Sequence, residues 1–112
     1  MAGFIDIACN FTHPSFAENI DKVLQEADAV DVQKFVLLCA SLKDLDPIQK
    51  IQYKDPSKFF ITAGIHPHHA KEILDLNDQS LASILQSIQP NAIGETGLDY
   101  FRNISPPEVQ RD

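Results

Sequence analysis

One stretch of the sequence gathers groups able to do chemistry: Ala92-Ile93-Gly94-Glu95-Thr96-Gly97-Leu98-Asp99-Tyr100-Phe101-Arg102. A short apolar run stops at Gly94, and Glu95, a second glycine, Asp99 and Arg102 follow. Carboxylates just past the end of a strand, on glycine-flexed backbone, stand where a barrel delivers reactive side chains. Two further polar clusters follow apolar runs. One holds His66, His68 and His69, and the other holds Asn10, Thr12 and His13. Imidazole and carboxylate converging on one rim suit a divalent metal or acid–base work.

Each of these residues also has a plainer use. Glu95 could cap the next helix, and His66 could be a hydrogen-bonded loop residue. His68 and His69 are adjacent and do not both point into one cleft. His13, before Pro14, reads as a solvated loop residue. Asp99 could accept backbone amides in its own turn. Arg102 could pair with Asp99 or meet a substrate phosphate.

The elements that must position these groups are legible from periodicity. Residues 4–9 read as a buried strand, with Asp6 a costly guest unless it finds a partner. Ser15 and Glu18 form a capping-box pattern ahead of a helical stripe through Phe16, Ile20, Val23, Leu24 and Ala27. Residues 34–39 form a strand apolar on both faces, as in a parallel sheet covered by helices. A weaker helix is predicted over 41–53, with Asp46 as cap and Pro47 in its first turn. Strand 58–64, helix 78–88 and strand 92–94 follow, and Ser105 is expected to cap a last helix reaching Gln110.

Strands thus start near residues 4, 34, 59 and 91, at spacings of roughly 25 to 32 residues that match a βα unit. Strand two exits through Ala40 and Ser41 and is expected to contribute little. Four parallel strands with helical crossovers could be half of an eight-stranded barrel or part of an open sheet.

Composition narrows the function. Of 112 residues, 44% are hydrophobic and 22% charged, enough for a folded core. A net charge of −7 argues against binding nucleic acid by bulk electrostatics, but leaves room for a metal-mediated phosphate site. Cys9 and Cys39 both lie in apolar runs and read as reduced, buried thiols. The N-terminus has no basic segment and no long apolar stretch, so a signal peptide or membrane span is not expected and a cytoplasmic setting is the default.

Gly64-Ile65-His66-Pro67-His68, followed by Ala92-Ile93-Gly94-Glu95-Thr96-Gly97-Leu98-Asp99-Tyr100, resembles the TatD family of metal-dependent deoxyribonucleases. Phe101-Arg102-Asn103, Ser105 and Gln110 extend the likeness, as do residues 4–12, and it spans essentially the whole chain. The resemblance implies an α/β chain of four βα units, roughly the N-terminal half of a TIM-type barrel. It implies a partial hydrolase domain over residues 1–112 and phosphodiester hydrolysis in DNA with one or two divalent ions such as Mg2+. It makes Glu95 a metal ligand and catalytic residue, with His66, His68, Asn10 and Arg102 binding substrate. Many relatives carry a His-x-His pair on the first strand, where Ala8 and Asn10 stand here, and the family's remaining ligands lie on later strands. The expectation is therefore a fragment, truncated at its C-terminal side and inactive alone. The alternatives are an amidohydrolase acting on a small ester, amide or lactone, and a non-catalytic half-barrel.

Overall fold

The computed structural model describes residues 3–112. Its strands are β1 (Phe4–Cys9), β2 (Val32–Leu37), β3 (Phe59–Ala63) and β4 (Ala92–Ile93). They form one sheet in the order β1-β2-β3-β4. All three pairings are parallel, with Phe35 opposite Phe59 and Ala63 opposite Ile93. Each new strand joins the same side as its predecessor. That progression curls a sheet into a half-barrel, whereas an open doubly wound sheet would reverse direction.

The crossovers are α1 (Ile20–Ala29), α2 (Leu45–Gln52) and α3 (Asp78–Ile88), with α4 (Pro107–Gln110) after β4. Helix α1 packs against β2 and α2 against β3. Phe35, Leu37, Cys39, Phe59 and Ile61 form the buried core with Leu45 and Ile48 of α2. Leu24, Ala27, Ile84, Leu85 and Ile88 lean on it, which is the apolar stripe expected of α1 and α3. Both thiols, Cys9 and Cys39, are free and buried.

Several local expectations need correction. The strand at 4–9 is not buried: Phe4, Ile5 and Ile7 are exposed and only Cys9 is covered. It is the edge of the sheet, paired on one side only. Asp6 is exposed, and its Oδ1 accepts the Ala8 N–H at 3.0 Å, so it needs no buried partner. Strand two runs Val32–Leu37 and is sheathed by helices on one face only. On the other face, Lys34 Nζ lies 5.6 Å from the Phe60 ring centroid.

Helix one starts later than its capping box suggests. Pro14–Phe16 is a 3-10 turn capped by the His13 ring, and α1 begins at Ile20. Phe16 packs edge-on against Phe11 at 5.4 Å, which anchors the turn before the helix. Ser41 and Asp44 make the capping box of a 3-10 turn (Leu42–Asp44) that leads into α2. Pro47 does sit in the first turn of α2, but Asp46 pairs with Lys50 at 2.7 Å instead of capping. Helix α3 spans the expected residues, with Asn77 as its cap.

Leu37 is fully buried at the centre of this core. Leu37→Ala is expected to cost about 2–5 kcal/mol. The check is urea unfolding, where the midpoint falls while the slope is unchanged.

Candidate functional site

The exit of β2 organises the rim. Beyond Leu37 the chain runs extended, and the Cys39 N–H donates to Thr62 Oγ1 at 3.0 Å, which keeps it beside β3. The carbonyls of Cys39 and Ala40 hold the two polar segments. The Glu95 N–H donates to Cys39 O, and the His66 N–H donates to Ala40 O, both at 2.8 Å. Strand two therefore contributes more than the sequence suggested: it supplies no reactive side chain, but its backbone places both motifs.

Gly64 makes the arrangement sterically possible. A Cβ there would lie 2.5 Å from Glu95 O and 2.5 Å from Gly94 C. The exit of β3 thus passes against the bare backbone of Gly94–Glu95, whose peptide is cis. Gly94 continues the ladder by donating its N–H to Ala63 O at 2.9 Å. Asn91 starts it, its side-chain Oδ1 accepting the Ile61 N–H at 2.9 Å.

The histidine segment is a run of 3-10 turns, Pro67–Asp75, not an open loop. His66 caps it: Nδ1 accepts the His68 N–H at 3.1 Å. In neutral His66 the proton is therefore on Nε2, which makes that nitrogen a donor. Pro67 at the first position loses no hydrogen bond there. Glu72, which sequence reasoning missed, ties the run to the start of the 3-10 turn ahead of α2. It accepts from Ser41 Oγ at 2.6 Å and from the Leu42 N–H at 2.9 Å. Nothing in the surrounding His-His-Ala-Lys-Glu-Ile-Leu-Asp run sets this carboxylate apart in the sequence.

His68 is fixed from the other side. Its Nε2 lies 2.7 Å from Asp99 Oδ2, and its ring meets His66 edge-on at 4.4 Å. Arg102 reaches the same carboxylate twice, from its N–H to Oδ1 at 3.0 Å and from Nη1 to Oδ2 at 2.9 Å. The Arg102 backbone N–H, the His68 ring and the Arg102 guanidinium together hold the Asp99 carboxyl well below the usual carboxylate range. An ionised carboxylate only accepts, so His68 Nε2 carries its proton.

Gln110 braces Asp99 from behind. Its Oε1 accepts the Asp99 N–H at 2.7 Å, and its Nε2 donates to Ser105 O at 2.6 Å. Ser105 is buried, and its Oγ donates to His68 O at 3.2 Å, so it does not cap α4 as expected. The Ser-Pro-Pro sequence hid this, because it reads equally well as a helix start.

The structure thus brings His66, His68 and Arg102 together, with Asp99 between the last two. Glu95 enters the same rim through its backbone and is half-buried. Asn10 lies just past β1 and is exposed, and its carbonyl accepts the His13 N–H at 3.1 Å. Cys9 O accepts the Leu38 N–H, which sets Asn10 at the same edge of the sheet. Among the described residues no group of three or more His, Cys, Asp or Glu could hold a metal ion. A magnesium ion usually takes one or two carboxylates plus substrate oxygens in a formed cavity. Glu95 offers one such donor, and the residues present do not complete the cage. Among the described residues no helix is long and apolar enough to cross a membrane.

Fold and rim together define part of a βα-barrel with its polar groups at the strand exits. The sequence profile described as "TatD related DNase" matches residues 5–112, and the chain belongs to that family. Among curated relatives, a 3'-5' ssDNA/RNA exonuclease TatD of Erwinia billingiae is 34% identical over 105 residues. The protein of the same name from Erwinia tasmaniensis is 35% identical over 105 residues. Each alignment covers 94% of this chain and 40% of the relative, so the chain spans about two-fifths of their length. A crystal structure of a TatD family hydrolase from Entamoeba histolytica superposes with a TM-score of 0.82 at 29% identity. That match covers 97% of this chain and 42% of the other.

Gly64→Ala is expected to force the Gly94–Glu95 backbone away and to cost about 1–3 kcal/mol. Urea unfolding measures the loss, and shifted Glu95 and His66 amide resonances report the displacement. Asp99 gives a second expectation. Its folded-state carboxyl titrates below the unfolded value of about 3.9. Its contribution is therefore fully present above that value and lost as pH falls towards the depressed one. Denaturation from about pH 5 downwards should show the stability gap between wild type and Asp99→Asn narrowing.

Proposed function

We propose that this chain is part of a nuclease that hydrolyses phosphodiester bonds in DNA, with residues 1–112 forming the first portion of its catalytic domain. The observation that carries the reading is the convergence of the His66–His68 turn and the Glu95–Arg102 segment on one strand-exit rim, in a chain of the TatD related DNase family. The name borne by the curated relatives, 3'-5' ssDNA/RNA exonuclease, makes removal from the 3' end of a single strand the first activity to assay.

Under this reading Glu95 gives one carboxylate to a divalent-cation site, with Mg2+ as the ion, and the described residues do not supply the rest of that site. His66 presents Nε2–H as a neutral donor to a phosphate oxygen. His68 and Arg102 face the same backbone from beside it. Asn10, at the exit of β1 and two strands from the histidine turn, meets the substrate strand through its amide. A net charge of −7 makes these local contacts, and not the overall field, the source of affinity.

The test is magnesium-dependent release of nucleotides from a single-stranded oligonucleotide by a chain completed to its relatives' length. Glu95→Ala is expected to lower kcat by about a hundredfold or more. Unchanged turnover in that variant would remove Glu95 from the site.

A further inference from the structure

Asp99 has no assigned part in the proposed chemistry, yet its carboxylate joins two residues that do. One oxygen, Oδ2, is shared by His68 Nε2 at 2.7 Å and Arg102 Nη1 at 2.9 Å. The other, Oδ1, closes the local turn on the Arg102 N–H at 3.0 Å. The Asp99 side chain is 13% exposed, whereas those of His68 and Arg102 are 26% and 64% exposed. The carboxylate is thus the inner member, and the two nitrogen groups stand outside it. Gln110 grips the Asp99 peptide on both faces, its Oε1 at 2.7 Å from the Asp99 N and its Nε2 at 3.3 Å from the Asp99 O.

We propose that Asp99 is a positioning residue that holds His68 and Arg102 as one outward-facing pair for a nucleic-acid backbone phosphate. The inference rests on the nuclease reading for its ligand, and on the hydrogen bonds alone for the clamp. The chemistry follows from donor counting. Arg102 spends one Nη1–H on Asp99 and keeps its other guanidinium donors, which suit a phosphate's planar pair of oxygens. His68 spends Nε2–H on Asp99, which leaves Nδ1 as the free ring nitrogen; it meets a phosphate oxygen as a donor in the imidazolium form, with one anion at each ring nitrogen. A flexible arginine loses rotamer freedom on binding a phosphate, and a guanidinium already fixed by Asp99 has less left to lose.

Asp99→Asn is the informative change. The asparagine carbonyl still accepts the Arg102 N–H, so the turn survives. Its amide nitrogen puts a donor where the ring and the guanidinium both need an acceptor. Two measurements on the 112-residue chain test the clamp and the ligand separately. In two-bond 1H–15N ring spectra, wild-type His68 is expected in a single form with Nε2 protonated, and Asp99→Asn is expected to shift that ring most among the four histidines, with a smaller shift at the adjoining His66 ring. An identical His68 ring in both proteins would overturn the clamp.

The second measurement is affinity for a fluorescent single-stranded thymidine oligonucleotide across a salt series. Asp99→Asn is expected to weaken binding about tenfold in the wild-type background, but less than about twofold when His68→Ala and Arg102→Ala are already present. The slope of log K against log salt should flatten by about 0.7 for each phosphate that is no longer neutralised. Equal weakening in both backgrounds would mean that Asp99 acts through the fold and not through the pair. A wild-type chain that binds no oligonucleotide would overturn the phosphate as ligand of the pair, while the nuclease reading is decided separately by the turnover assay on the chain completed to its relatives' length. The ring spectra would still decide the clamp.

Discussion

The rim depends on the backbone of Cys39. Its N–H is held by Thr62 Oγ1, and its carbonyl receives the Glu95 N–H. Its sulfur lies 3.2 Å from both Gly64 O and Ser41 O. One fully buried residue therefore touches the exits of β3 and β4 and the start of the turn into α2. Burial pushes the thiol titration up, which keeps the sulfur protonated and able to donate to either carbonyl. A buried polar cluster of this kind is stabilising only when every member is paired, and among the described residues no buried side-chain nitrogen or oxygen lacks a partner.

From that point outward the site is built in two layers. The inner layer is backbone: Cys39 O, Ala40 O and the bare face of Gly64 fix where the chain enters each motif. The outer layer is side chain to side chain, with Asp99 joining the β4 segment to the β3 turn through His68. Ser105 and Gln110 close the ring behind it, so residues after β4 brace a histidine 37 positions before Ser105. The two motifs are distant in sequence, but each is rigid because the other is present. A loop held at one end by backbone and at the other by an ionic pair has few ways to move, and holding reactive groups in place is what a binding rim requires.

Much of this was legible in the sequence, for definable reasons. Strand and helix order followed from apolar periodicity, and α3 was readable from the stripe Leu81, Ile84, Leu85, Ile88. What misled was capping chemistry near proline. Ser15 and Glu18 match a capping box, yet Pro14 starts a 3-10 turn there that Phe11 and Phe16 pin by contact. Ser105 looks like a cap and is instead a buried donor. The first is settled by a proline and an aromatic contact close by in the chain, the second by a tertiary partner that no local window contains. The exposed face of β1 has a related cause: six apolar-rich residues read as buried, but burial depends on what lies across the sheet. The reactive residue types were visible, as was their common edge. The contribution of strand two was not, because it is made by carbonyls that every residue has.

The acidity of the chain constrains how such a rim could serve a polyanion. With a net charge of −7, the long-range field opposes approach of a nucleic acid, so attraction must come from groups close enough to escape screening by the rest of the surface. By charge alone Asp99 would worsen this, since it sets a negative group beside the most exposed cation of the rim. A carboxylate that is ionised and partly covered behind the guanidinium orients that cation outward while shortening its reach in bulk solution. Such a pair repels little at a distance and binds well only at contact, where bidentate geometry counts for more than charge. Under the nuclease reading, an acidic protein that must let go of its substrate is served by few, geometrically strict phosphate contacts. The Asp99–Arg102–His68 arrangement is a local means of making them.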